Sequence, residues 1–185
     1  MTDFSAAKPR ETQRSTAVLT RELARQSEVP LEVLLGPAYT KLFYDAYLPS
    51  TAQVTLEDQA RTALGVVTGV AHISHHTAVE LWGGVAPATS RVHLTFDDRR
   101  SRSRRNGIAA HHSPLPSAVV RSKGLPISCP TQAFLDLASA GAELLDLVIA
   151  GDSLVKATRT RPDDFVRAAD GWRGTGRDWP DVPPG

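Results

Sequence analysis

Apolar positions along the chain fall into short blocks whose spacing switches between helical and strand periods. Val18, Leu19, Leu23 and Ala24 share one face of a helix over 16–27, with Arg21 and Arg25 on another. Pro30 opens a second short helical piece through Leu35, and Gly36-Pro37 stops it. The aromatic run from Tyr39 to Leu48 predicts one or two short strands, ended by Pro49. Leu56, Ala60, Ala63, Leu64 and Val67 predict a helix over 55–67. Ser74 is placed to N-cap a helix from His75 to about Trp82, with Gly83-Gly84 as its stop. Val92, Leu94 and Phe96 alternate with His93 and Thr95, a strand pattern. An arginine-rich loop follows, and 107–112 reads as a returning strand. Val119-Val120 and Leu125-Pro126-Ile127 flank Lys123-Gly124 as a hairpin. Pro130 opens a helix carrying Phe134, Leu135, Leu137 and Ala138, and further helices are expected over 143–155 and from Pro162 to about Ala169.

Helices, then a small β region, then helices again indicate an α+β fold: a small antiparallel β-sheet packed with helices. Residues 1–14 read as a disordered N-terminal end, and the Gly- and Pro-rich stretch 171–185 as a flexible tail.

Composition narrows the class. With 185 residues, 41% hydrophobic and 22% charged, the chain has the make-up of one globular domain with a small appendage. A chain this long buries roughly 70% of its unfolded surface, so no staples are needed. Cys129 is the only cysteine, which excludes an internal disulfide framework and a Cys-rich zinc module. The N-terminus lacks the apolar core of a signal peptide, and no stretch approaches the roughly 20 apolar residues that span a bilayer. A cytoplasmic protein without membrane contact is expected.

Charge changes the picture locally. The net charge is only +1, yet eight basic residues lie between Arg91 and Lys123, opposed by Asp97 and Asp98 alone. Within that stretch Arg99, Arg100, Arg102, Arg104 and Arg105 alternate with Ser101 and Ser103. Guanidinium forks match phosphate oxygens, and hydroxyls between them add contacts. Arg21, Arg25 and Lys41 can add contacts from the N-terminal part. A solvated hairpin tip is the alternative reading of the same run.

Catalytic signatures are missing. The chain has no phosphate loop, no His-Glu-x-x-His and no Gly-x-Ser-x-Gly elbow. No lysine follows a carboxylate by two residues, as the acid-x-Lys arrangement of metal-dependent nucleases requires. Ser153 and Lys156 match Ser-x-x-Lys without its companion motifs. Of six histidines, three fall in His72-Ile73-Ser74-His75-His76 and two are His111-His112. Neighbours in a strand face opposite ways, so His111 and His112 do not serve one ion, and no metal or cofactor is expected. Ser74, His75, Trp82 and Asp136 read as structural, with Asp136 needing a partner such as a backbone amide of a nearby loop.

Three blocks carry a resemblance. They are Leu34-Leu35-Gly36-Pro37-Ala38-Tyr39-Thr40-Lys41-Leu42-Phe43-Tyr44-Asp45-Ala46-Tyr47, Ser74-His75-His76-Thr77-Ala78-Val79-Glu80-Leu81-Trp82-Gly83, and Cys129-Pro130-Thr131-Gln132-Ala133-Phe134-Leu135-Asp136-Leu137-Ala138. In order and spacing, over about residues 16–172, the chain resembles the actinobacterial AbiEi-like antitoxin and transcriptional-regulator family. Many members of that family also carry an endonuclease-like domain of the very-short-patch-repair type. The resemblance implies a winged-helix-like segment over 15–50, short here, followed by an AbiEi-like α+β domain over 51–170. It also implies repression at an operator in duplex DNA and a functional link to a nucleotidyltransferase-type toxin. The chain departs from the family pattern in two ways. Residues 30–35 hold Glu32 and no Lys or Arg, unlike a recognition helix. The sequence also stops at Gly185, where longer relatives begin the nuclease-like part.

The expected function is therefore a non-enzymatic antitoxin-like or DNA-binding regulator. One alternative is the regulatory half, or truncated relic, of a very-short-patch-repair-like endonuclease protein. Another is a protein-interaction module whose arginine loop meets an acidic partner.

Overall fold

The computed structural model describes residues 18–99, 105–113 and 115–172. The elements run α1 (Arg21–Gln26), α2 (Leu31–Leu34), β1 (Tyr39–Phe43), β2 (Ala46–Pro49), α3 (Leu56–Val66), β3 (Ala71–Ile73), α4 (His75–Leu81), β4 (Val92–Phe96), β5 (Ile108–His112), β6 (Val119–Ser122), β7 (Leu125–Ser128), α5 (Pro130–Ser139), α6 (Leu144–Ala157) and α7 (Pro162–Gly171). The expected loose end 1–14, and residues 173–185 of the expected tail 171–185, lie outside the described residues, whereas Gly171 is the last residue of α7. No helix among the described residues is long and apolar enough to cross a membrane.

The fold is α+β. β1 and β2 form an antiparallel hairpin, extended by a bridge between Leu19 and Tyr47. The other strands form one five-stranded sheet in the order β5-β4-β3-β7-β6. That sheet is mixed: β3–β4 and β6–β7 are antiparallel, while β3–β7 and β4–β5 are parallel. Segment 107–112 therefore does not return beside β4 as a hairpin partner. β5 runs the same way as β4, from Val92 opposite Ile108 to Phe96 opposite His112. The connection between the two strands is a crossover, because β5 begins beside the start of β4, about 17 Å back from its end for five residues. The arginine run therefore does not join β4 and β5 as a hairpin, and residues 100–104 of it lie outside the described residues.

Local chemistry explains most element starts. Asp58 N–H donates to Thr55 Oγ1 and Thr55 N–H to Asp58 Oδ2, both at 3.1 Å, a reciprocal cap that opens α3. α5 opens with Pro130, whose missing N–H costs nothing in a first turn. α1 is shorter than its apolar spacing implies. It starts after Thr20, whose Oγ1 accepts the N–H of Leu23.

Two apolar clusters hold the molecule. The larger includes Ile73, Val79, Leu94, Phe96, Ile127, Leu137 and Leu154, from the sheet and the helices packed on it. The smaller joins Ala24, Leu34 and Tyr47, flanked by Leu19, Val29 and Tyr39. The β1–β2 hairpin belongs to both, because Phe43 and Ala46 insert into the larger cluster while Tyr47 serves the smaller.

Candidate functional site

Two surfaces gather chemistry-bearing side chains. The first lies where the hairpin meets the end of the crossover. Tyr44 sits in the turn after β1 and is 57% exposed. The Lys41 ammonium lies 5.7 Å and the Arg105 guanidinium 5.3 Å from the centre of its ring. Both distances suit cation–π attraction. Gly107 allows the approach: its φ is +82°, and a Cβ there would stand 3.0 Å from the Phe43 ring. Lys41, Tyr44, Arg105 and Asn106 line a concavity of about 620 Å³. Two stretches some 60 residues apart in sequence thus form one cationic, aromatic surface.

The other expected phosphate contacts are distributed differently. Arg25 Nη2 is 2.7 Å from Glu22 Oε1, one turn away on α1. Arg21 Nε is 3.7 Å from Asp45 Oδ1. Arg99 follows β4 and is exposed. Arg100, Arg102 and Arg104 lie outside the described residues.

The second surface is built on one face of the sheet. Period-two alternation sends Val92, Leu94 and Phe96 to one side of β4 and His93 and Thr95 to the other. The parallel register places His111 of β5 opposite Thr95, and His72 of β3 pairs with Thr95 from the antiparallel side. α4 follows β3 with only Ser74 between them. Ser74 N–H still donates to His93 O across the strands, at 3.1 Å. His75 turns the chain into the helix in the left-handed region, at φ +51°. The result brings His75, His93 and His111 together, with one ring nitrogen from each within 4.8 Å of the others. His93 Nδ1 is 3.0 Å from His111 Nε2, and the His75 ring stacks on His111 with centres 3.6 Å apart. His76 adds a ring centred 4.4 Å from that of His93.

A chain of hydroxyls fixes these rings. Thr95 Oγ1 donates to Ser74 Oγ at 2.8 Å, and Ser74 Oγ lies 2.9 Å from His75 Nδ1. Thr89 Oγ1 is 3.4 Å from His93 Nε2. Ser74 occupies the N-cap position, but its hydroxyl makes no capping bond. The expected cap is thus replaced by a bond that orients His75. Burial, and then the neighbouring His76, His111 and Arg91, push the His93 pKa down to about 3. Burial chiefly, reinforced by His111, His93, His76 and His72, holds His75 well below its usual value. His75 and His93 are therefore neutral near pH 7.

A scan against models of protein families and a search of the curated proteins return no match to this chain.

Asp136 closes the site from α5. Ser128 Oγ donates to its Oδ2 at 2.9 Å and Gln132 Nε2 to its Oδ1 at 2.8 Å, and the backbone N–H of His75 donates to the same carboxylate. Burial raises the Asp136 pKa, and these three donors offset part of the rise. Trp82, just after α4, donates its Nε1–H to Ser128 O at 2.8 Å and ties the helix to β7. The Ser153 hydroxyl donates to Ala150 O at 2.9 Å and accepts Val85 N–H at 2.7 Å, a clamp on the 83–86 loop.

Sequence reasoning missed the histidine cluster. Adjacency in sequence separates His111 from His112, whereas pairing across β3, β4 and β5 joins residues up to 39 positions apart. The available signal was His93 and Thr95 as the polar positions of an otherwise apolar strand. Every residue of that strand is buried.

Proposed function

We propose that the protein is a non-enzymatic DNA-binding regulator of the AbiEi-like antitoxin type, holding duplex DNA through its phosphate backbone. The observation that carries this reading is the convergence of Lys41 and Arg105 on exposed Tyr44. An ammonium, a guanidinium and an aromatic face on one concavity suit a phosphate-and-sugar track. In the sequence Arg99, Arg100, Arg102 and Arg104 stand within six positions of Arg105, so the stretch beside this concavity is strongly basic in composition. Two short helices packed on a β-hairpin agree with a reduced winged-helix-like segment in which the hairpin makes the DNA contact. α2 has four residues, with Glu32 in its first turn, which leaves little for base reading in a major groove.

The absence of an acid-x-Lys arrangement and the structural engagement of Ser153 support a role in binding rather than turnover. The functional partner of such a regulator is a nucleotidyltransferase-type toxin. Fluorescence anisotropy with labelled duplex DNA, across salt concentrations, tests the reading. Lys41→Ala/Arg105→Ala should bind more weakly than wild type, and equal binding would contradict it.

A further inference from the structure

We propose that His75, His93 and His111 form a binding site for one divalent transition-metal ion of the zinc class, independent of the DNA-contact surface. Three observations carry it. The first is convergence: three imidazoles from α4, β4 and β5 each place a ring nitrogen within 4.8 Å of the other two. Tetrahedral zinc with bonds of about 2.0–2.1 Å holds its nitrogens about 3.3 Å apart. The His93–His111 pair, at 3.0 Å, is already near that spacing.

The second observation is orientation by groups behind the rings. His75 Nδ1–H can donate to Ser74 Oγ, which leaves Nε2 for the ion. His93 would carry its proton on Nε2, facing Thr89 Oγ1, and turn the Nδ1 lone pair inward. His111 would offer Nε2, the nitrogen now shared with His93 Nδ1. Such outer hydrogen bonds fix ring orientation and raise ligand basicity. Without an ion, the His93–His111 contact holds one proton between two nitrogens. An ion replaces it, and His93 changes tautomer with no net loss of protons. The His75 and His111 rings are stacked, so their lone pairs run side by side. Binding needs a rotation of one ring about its Cβ–Cγ bond to make them converge.

The third observation is access. His75 and His111 both border a cleft of about 1240 Å³ that also receives Thr95, Asp136, Arg167 and Trp172. Three protein nitrogens and an open side leave a fourth position for water or a small anion. Imidazole donors and the absence of thiolates select zinc, cobalt or nickel over calcium or magnesium. His112 borders the same cleft but is not among the converging histidines, since it stands opposite Phe96, one position on from His111 along β5.

Cobalt(II) titration of the chelator-stripped full chain tests the site. Wild type and His112→Gln should each take up one equivalent, with the intense visible absorption of four-coordinate cobalt, and zinc should displace it. His93→Gln and His111→Gln should each lose that absorption while keeping the far-ultraviolet dichroism of wild type. If either variant fails to fold, histidine nitrogen NMR of the wild type decides. One equivalent of zinc should shift ring resonances of His75, His93 and His111 and leave His112 in place. No absorption at one equivalent, absorption that survives both substitutions, or zinc shifts confined to other histidines would each overturn the proposal. DNA binding is read separately, so either result leaves the phosphate-contact reading standing or falling by its own test.

Discussion

Asp136, in the second turn of α5, accepts the backbone N–H of His75, the first residue of α4. One carboxylate thus holds the residue whose left-handed backbone turns β3 directly into a helix. Three donors converge on Asp136, so removing it orphans all three in a buried setting. Asp136→Ala should destabilise the fold by about 2–4 kcal/mol. Asp136→Asn keeps one acceptor oxygen and should cost less. Urea unfolding of both variants checks the order. Equal, small losses would show that the carboxylate does not bind the two helices together.

The histidine face makes stability depend on pH. The unfolded chain binds protons at its histidines near pH 6.5. Folded His93 resists protonation until about pH 3, and folded His72, His75 and His76 also have lowered values. The unfolded state therefore binds more protons across this window, and stability falls as pH drops from about 6.5 toward 3. Facing His93 are His75 and His76 on α4, Arg91 before β4 and His111 on β5; His72 on β3 and Asp136 on α5 act on His75, while Asp97 acts on His72 and Asp146 on His76. Asp136, with a raised value, contributes in the opposite sense above its ordinary range. Urea midpoints with chelator present should drop between pH 7 and pH 5, and His93→Gln should make that drop shallower. A flat wild-type profile would mean that the imidazoles protonate in place.

Gly107 couples the crossover to the hairpin. Its φ of +82° and the 3.0 Å approach to Phe43 leave no room for a Cβ without movement. Gly107→Ala should cost about 1–2 kcal/mol through backbone strain alone. It should also displace Arg105 from Tyr44 and weaken DNA binding. Thermal melts and anisotropy on the same variant report the two effects. A variant with wild-type stability and affinity would show that the junction tolerates a side chain.

Much of the element order is legible in the residues themselves. The Thr55–Asp58 cap, the proline starts at Pro130 and Pro162 and the Lys123-Gly124 turn act locally, and each opens or closes its element where expected. β3 escaped notice because three residues are too few to show a period, although it lies at the centre of the sheet. The parallel pairing of β4 and β5 escaped for a different reason: a polar connection does not reveal in which direction the next strand runs. Asp136 shows the gain from chemical reasoning, since a carboxylate among Phe134, Leu135 and Leu137 demands a partner and finds a backbone amide. Ser74 shows its limit. The residue sits at the N-cap position, but its hydroxyl bonds the His75 ring and the Thr95 hydroxyl instead of a backbone amide of the first turn.

The most direct test of the account is the salt dependence of duplex-DNA binding by the full chain. If Lys41, Arg105 and the neighbouring arginines neutralise four or five phosphates, the slope of log affinity against log salt should be about −4, at roughly −0.9 per phosphate. Lys41→Ala/Arg105→Ala should flatten it by about 2 and weaken unrelated sequences equally, since phosphate contacts position a protein without reading bases. Tyr44→Ala should lower affinity with little change of slope. Binding that is insensitive to salt, or identical slopes for wild type and the double variant, would contradict the assignment of this surface to DNA.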